Sequence, residues 1–465
     1  MKNKNLLKTF GIALLVVFVL TWVIPTTTSG TNGLKIGAIT PTGFVDIFKN
    51  IEVLVQYFLG NAIMILFVGM LYGVCNKSGA LKALVDKMSS IFKKKSWLFV
   101  VITVLFYGLS SGIAGIYMPM LIFMPLSIAV LLNLKYNKMQ ALLVTAGSTV
   151  VGITAEIGSA IYKSVTGITT NTYLWIKVAL LAILLILVIL YALKINKKNG
   201  DEETDEYMFV PSKRLIKGTS PKGIALFVVM ILLYVFLFLG LFSEFSSVKA
   251  FENIANAING VKIGNFAIFA SIMGAFETFG KFTMISVYAL IALAIIIISI
   301  CNKVSVKDMF EGCMQGANKV SGIAMFAVLI NLILVLTLNS GFIITIINLI
   351  AKSGNVALVT LSTLIASPFM VEETYAAQYI LQILYAVTSN EGALGLYGFI
   401  GQVMYGFTML FAPSSVLIMC MLYYLGEKYT KWIKYIWKLL IVVFVACLIA
   451  ITTVSYTHLR AHETE

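Results

Sequence analysis

Histidine is almost missing: of 465 residues only His458 and His462 carry an imidazole, both close to the C-terminus. An imidazole general base or a histidine metal cluster is therefore excluded from the body of the chain. The five cysteines, Cys75, Cys301, Cys313, Cys420 and Cys447, are scattered with no C-x-x-C spacing. Zinc ribbons, redox dithiols and disulfide frameworks fall away with that spacing, and the thiols read as small apolar residues. Charged residues are scarce at 12%, too few for the surface of a soluble globule. Long polar loops are missing too, apart from one charged connection between Lys194 and Lys222. No catalytic residues, no metal site and no cofactor other than a coupling ion are expected, so an enzyme is not.

What is present is apolar sequence, 60% hydrophobic residues at a mean hydropathy of +0.96. Runs of about 20 residues, long enough to cross a bilayer, recur from end to end. They predict an all-α polytopic membrane protein, multi-pass, with the lipid bilayer as its solvent. The formal charge of +14 sits mostly on lysines in short loops. There it reports topology and contact with anionic lipid, and nucleic acid is not an expected partner.

Lys2, Lys4 and Lys8 precede the apolar run Phe10 to Ile24, which reads as a retained first helix with its N-terminus inside. A span over 52–75 leads to a loop carrying Lys77, Lys82, Lys87, Lys93, Lys94 and Lys95, cytoplasmic by its charge. The run from Trp97 to Leu134 is too long for one crossing. Ser110-Ser111-Gly112, Pro119 and Pro125 interrupt it, so it reads as a hairpin that returns to its starting face. The next span, Met139 to Ile161, is loosened by Gly147-Ser148-Thr149 and Gly152 and carries Thr154, Glu156 and Ser159. A plain span over 173–193 follows. The chain therefore divides into a first transmembrane repeat (1–195), a solvated cytoplasmic linker (196–222) and a second repeat (223–454) in which one helix is expected over 320–349. Residues 455–465 break from the preceding composition and resemble a translated adapter, a non-native tail.

The costliest stretch is Ser367-Pro368-Phe369-Met370-Val371-Glu372-Glu373-Thr374, two adjacent carboxylates and a helix breaker inside an apolar run. Twelve helical residues before it span roughly 18 Å, about half of a ~30 Å hydrocarbon layer. The break then falls near mid-membrane, and the residues after it can return to the same face. Irregular backbone at that depth survives only against protein or a water-filled cavity. An ionisable pair there marks a substrate or ion site by default. Leu394 to Tyr424 is broken in turn by Gly401, Gly406 and Pro413-Ser414-Ser415. Proline frees a carbonyl there, and two hydroxyls can satisfy or coordinate.

Candidate substrate- or ion-binding residues are accordingly Ser110, Ser111, Gly112, Gly147, Ser148, Thr154, Glu156, Ser159, Ser367, Glu372, Glu373, Thr374, Thr408, Pro413, Ser414 and Ser415. Ser110-Ser111-Gly112 fits either a hairpin tip or close helix packing. Thr154 and Thr408 can also back-bond within their own helices. Asp46 and Asp308 read as helix caps.

A shift of 262 positions superposes Asp46 on Asp308, Phe48 on Phe310, Gly60 on Gly322 and Ser78-Gly79 on Ser340-Gly341. A shift of 254 then places Gly147, Gly152 and Thr154 on Gly401, Gly406 and Thr408. Because the lysine distribution puts corresponding loops on opposite sides, the repeats are expected to be inverted. Inverted repeats with discontinuous helices are the architecture of secondary transporters.

Thr21-Trp22-Val23-Ile24-Pro25, Lys307-Asp308-Met309-Phe310-Glu311-Gly312, and Ala412-Pro413-Ser414-Ser415-Val416-Leu417 followed by Lys431-Trp432-Ile433-Lys434 carry a family likeness. In them the chain resembles the C4-dicarboxylate anaerobic carrier-like group of the ion transporter superfamily, including its basic amino-acid antiporters. The resemblance implies uptake or exchange of small carboxylates, amino acids or short peptides, coupled to Na⁺ or H⁺. Family members commonly place the acidic pair in the first hairpin and an Asn-Pro in the first unwound helix; here the pair is in the second hairpin. A homodimer is compatible with the pattern. An ion channel and, further off, a membrane-embedded enzyme are the alternatives.

Overall fold

The computed structural model of the chain describes residues 4–30, 33–158, 160–167, 173–194, 206, 208–209, 221–272, 274–388 and 393–463. Among these, eight helices are long and apolar enough to cross a membrane: Lys4–Val23, Ile51–Lys77, Ser96–Ala114, Leu174–Lys194, Lys222–Leu241, Met284–Cys301, Val306–Ser340 and Tyr429–Thr457. The chain is thus the all-α polytopic membrane protein its composition predicts. Strand is confined to two small antiparallel ribbons, Thr27–Gly30 with Gly33–Ile36 and Lys262–Ile263 with Phe266–Ala267.

Ile51–Lys77 and Val306–Ile330 make the most extensive helix contact in the molecule. Glycine permits it. A Cβ on Gly73 would lie 2.1 Å from the Gly312 carbonyl oxygen, and one on Gly316 would lie 2.0 Å from that of Gly69. The two backbones therefore touch, as small residues allow between helices in lipid. Lys77 closes one end of the crossing with Asp308 at 3.1 Å and Glu311 at 2.5 Å.

Each central helix ends on a glycine in the left-handed region, Gly79 (φ 77°) and Gly341 (φ 65°). A short helix follows each one, Ala80–Phe92 and Phe342–Ala351. Two expectations are corrected at this point. The lysine-rich segment after residue 77 is mostly an amphipathic helix rather than a loop, because Ala80, Leu81, Leu84 and Val85 share one buried face. The helix expected over 320–349 starts at Val306 and stops at Ser340, since Gly341 turns the chain.

Both hairpins are interrupted. In the first, Ser96–Ala114 ends at Gly115, a 3₁₀ turn follows over Met118–Ile122, and Met124–Asn133 returns. In the second, Val356–Ala366 gives way to a 3₁₀ turn over Ser367–Phe369, and helix resumes through Glu373–Tyr375, a π turn at Ala376–Ile380 and Leu381–Thr388. Ala80–Phe92 touches both arms of the first hairpin, and Phe342–Ala351 touches both arms of the second. Each short helix thus lies across the two arms of the hairpin that follows it.

The linker is not wholly solvated. Most of 196–222 lies outside the described residues, but Met208 and Phe209 are buried, and Phe209 N–H donates to the Tyr424 hydroxyl at 2.9 Å. The final helix, Tyr429–Glu463, continues through most of the stretch read as a tail.

Candidate functional site

Four interruptions converge on one cavity of about 510 Å³. Its wall takes Gly115 to Pro119 from the first hairpin, Val371 to Thr374 from the second, Val416 from beyond the Pro413 break, and Asn61 from a central helix. Ile161 follows the Glu156 break, and Leu241, Phe282, Thr283 and Met284 make up the rest of the wall.

Local chemistry explains each break. Gly115 takes φ 66°, and a Cβ there would lie 2.8 Å from Glu156 Oε1, so glycine brings the first hairpin tip under that carboxyl. The helix Ser148–Thr154 ends at Ala155, and the unwound chain crosses to the hairpin, where Ile157 N–H donates to the Gly112 carbonyl at 2.7 Å. Pro368 has no N–H to continue its helix. Its carbonyl accepts from Ser414 Oγ, while Tyr405 donates to the Val371 carbonyl at 3.1 Å. Past Thr408, Trp432 Nε1 donates to the Leu410 carbonyl at 2.9 Å and Tyr429 donates to that of Phe411. Backbone groups freed at membrane depth are satisfied inside the protein.

The Glu156 and Glu373 carboxyls lie within electrostatic reach of each other. Glu373 Oε1 is itself buried with no partner. Glu372 accepts from Asn61 Nδ2 at 3.0 Å. Sequence reasoning missed two further members, Lys177 and Gln402. Lys177, 6% exposed, donates to Gln402 Oε1 at 2.9 Å and lies within electrostatic reach of Glu156 and Glu373. Gln402, 1% exposed, donates in turn to the Glu156 carbonyl at 2.7 Å. A lone lysine near the end of an apolar run reads as an interfacial snorkel. The available signal for Gln402 was its amide beside Gly401 in an otherwise apolar segment.

Among the described residues eight buried side-chain polar atoms lack a hydrogen-bond partner, and four of them, on Tyr117, Tyr162, Glu373 and Ser415, gather at this cluster, Tyr117 and Ser415 facing each other. Orphaned groups concentrated in one place are what a ligand or ion would satisfy.

The other candidates are spread more widely. Thr374 lines the cavity, and Pro413 sits half-buried in the turn that holds Ser414 and Ser415. Ser110, Ser111 and Gly112 lie in the last turns of a helix, just before the tip. Ser110 bonds Tyr234 at 2.9 Å, and Ser111 back-bonds to Tyr107 O at 3.0 Å. A Cβ on Gly152 would lie 2.0 Å from Ser111 Oγ, so these small residues sit where two helices pack closely. Gly147 ends a π turn against Trp432, and Ser148 bonds the Leu143 carbonyl at 3.1 Å; neither lines the cavity. Thr154, Ser367 and Thr408 bond carbonyls of their own helices at 3.1, 2.7 and 2.8 Å. Ser159 lies outside the described residues.

Broken helices around a cavity with carboxyl groups in its wall define a polytopic membrane protein with interrupted spans. The family model for the C4-dicarboxylate anaerobic carrier matches residues 9–371. The chain belongs to that family, and is a carrier rather than an enzyme. Among solved structures it aligns with the YdaH transporter of Alcanivorax borkumensis at 12% identity over 97% of this chain and 98% of that one, with a TM-score of 0.43. It also aligns with Neisseria gonorrhoeae MtrF, described as illuminating a class of antimetabolite efflux pumps, at 14% identity over 96% and 94%, with a TM-score of 0.38. No curated protein matches the chain.

Proposed function

We propose that the protein is a secondary transporter that carries small carboxylates or amino acids across the bacterial cytoplasmic membrane, coupled to Na⁺ or H⁺ or by exchange. The observation that carries this reading is the meeting of both hairpin tips and the ends of both unwound segments at one cavity that holds Glu372, Glu373 and Thr374 in its wall, with Glu156 within electrostatic reach of Glu373. Inverted repeats account for such a meeting, because each half then contributes one hairpin and one broken helix to a site near the bilayer midplane. Family membership supports a carboxylate as substrate. We take the N-terminus to be inside.

The test is thermal unfolding of the purified full-length chain against a panel of dicarboxylates and amino acids, with and without Na⁺. A ligand that binds only the folded protein raises its melting temperature. The stabilising compound should then enter proteoliposomes saturably under an ion gradient. Ion current without substrate would instead identify a channel.

A further inference from the structure

We propose that Lys163 and Glu244 form an ionic latch on the rim of the cavity, and that the latch opens whenever the cavity is exposed to that face of the membrane. The proposal rests on the transport reading and adds to it a gate and the two residues that make it. Lys163 Nζ lies 2.9 Å from Glu244 Oε1. Ile161, on the helix of Lys163, and Leu241, just before the turn of Glu244, both line the cavity, so the bond runs beside its wall.

The two partners belong to different parts of the molecule. Glu244 lies in the 3₁₀ turn Ser243–Ser247, which follows the span Lys222–Leu241. Gly280 and Phe282 clamp the end of that span, their N–H groups donating to the carbonyls of Leu239 and Gly240 at 3.0 Å each. Phe242, Phe245, Phe251 and Phe279 then meet edge to face in series, at centroid separations of 4.9, 5.3 and 5.3 Å. This collar runs into the span Met284–Cys301, which packs on the central helix Ile51–Lys77 and whose Tyr288 donates to the Gly60 carbonyl at 2.8 Å. Glu244 is therefore anchored to the central pair of helices. Lys163 lies in the short helix Ala160–Thr166, which packs on the π turn Ala376–Ile380 of the second hairpin and on the broken helix Leu394–Met409. It travels with the hairpin.

The chemistry suits a bond that is made and broken in every cycle. The Lys163 side chain is 21% exposed and that of Glu244 51%, so water takes over each charge when they part. A buried pair would instead leave two uncompensated charges. Inside the cavity, Asn61 of a central helix donates to Glu372 of the second hairpin at 3.0 Å. The same two parts are thus bridged twice, in the wall and on the rim.

Labelling of Val416→Cys, a cavity-wall position, by a membrane-impermeant maleimide tests this in full-length chains whose Cys301 and Cys313 are replaced by serine. In vesicles of both orientations, labelling from the face that bears the rim is expected to rise roughly 1.5- to 5-fold in Lys163→Met and in Glu244→Ala, the bias that a partly exposed ion pair supplies. Exchanging the charges, Lys163→Glu with Glu244→Lys, is expected to restore the parent rate. Unchanged labelling in both single variants overturns the latch, and so does an exchanged pair that labels as fast as they do. Should a variant not fold, Lys163→Cys with Glu244→Cys, joined by a bifunctional thiosulfonate, decides instead: uptake of labelled succinate and aspartate into proteoliposomes is expected to stop on cross-linking and to return on reduction. Uptake that continues through the cross-link overturns the latch. Failure of the parent to take up any compound of the panel defeats the transport reading, while the labelling rates are judged separately.

Discussion

Gln402 holds two parts of the site at once, accepting from Lys177 through Oε1 and donating to the Glu156 carbonyl through Nε2. Gln402→Ala removes both bonds and leaves buried groups short of a partner, at a cost of about 1–3 kcal/mol. A lower melting temperature in detergent is the expected outcome; an unchanged one would show that the cavity's water takes over both bonds. Gln402→Glu keeps a partner for Lys177 but cannot donate to the carbonyl, so it should recover only part of the loss. Of these side chains the acids were legible in the sequence, because a carboxylate in an apolar run has no inexpensive structural explanation. Lys177 was not, since the same lysine one turn nearer the interface would have meant nothing. Its burial against Gln402, 225 positions away, is a long-range fact that no local pattern encodes.

At the level of helices, the glycine crossing makes a sharp prediction. Gly73→Ala sets a methyl against the Gly312 carbonyl, and main chain cannot turn aside as a side chain can. Overpacking of that kind costs about 1–3 kcal/mol, and here the helices must part to relieve it. Gly73→Ala is expected to reduce the folded, monodisperse fraction in size-exclusion chromatography. Gly11→Ala, with nothing within 4 Å of the added atom, should leave that fraction as it is; equal behaviour of the two would remove the crossing from the account of stability. The hairpins could be read from the sequence because proline and paired acids interrupt apolar runs. Their limits could not, because Ser110-Ser111-Gly112 looks like a break and yet is helix, while the turn is made three residues later by Gly115. A glycine's left-handed φ is invisible until its neighbours are placed, and the same is true of Gly341, which stopped a helix the sequence let run on.

For the whole molecule, the lysines led to the proposal of an N-terminus inside, and cysteine labelling tests it. Cys301 is exposed at the end of the span Met284–Cys301, Cys313 is partly exposed and is replaced by serine for the test, and Cys75, Cys420 and Cys447 are buried. With the N-terminus inside, a membrane-impermeant maleimide should label Cys301 in inside-out vesicles and not in right-side-out ones; the opposite pattern would reverse the topology. Offsets of 262 and 254 raised the expectation of a duplication, and each half runs through central helix, glycine turn, short helix, hairpin and broken helix in that order. What those offsets could not disclose is how the halves face each other, since that depends on the contact of Gly69 and Gly73 with Gly312 and Gly316. Two rods pressed main chain to main chain, and tethered at one end by Lys77, have no slack in which to slide. Any rocking that exposes the cavity first to one side and then to the other has to be carried by the hairpin-bearing flanks, with the glycine-faced pair serving as their common axle.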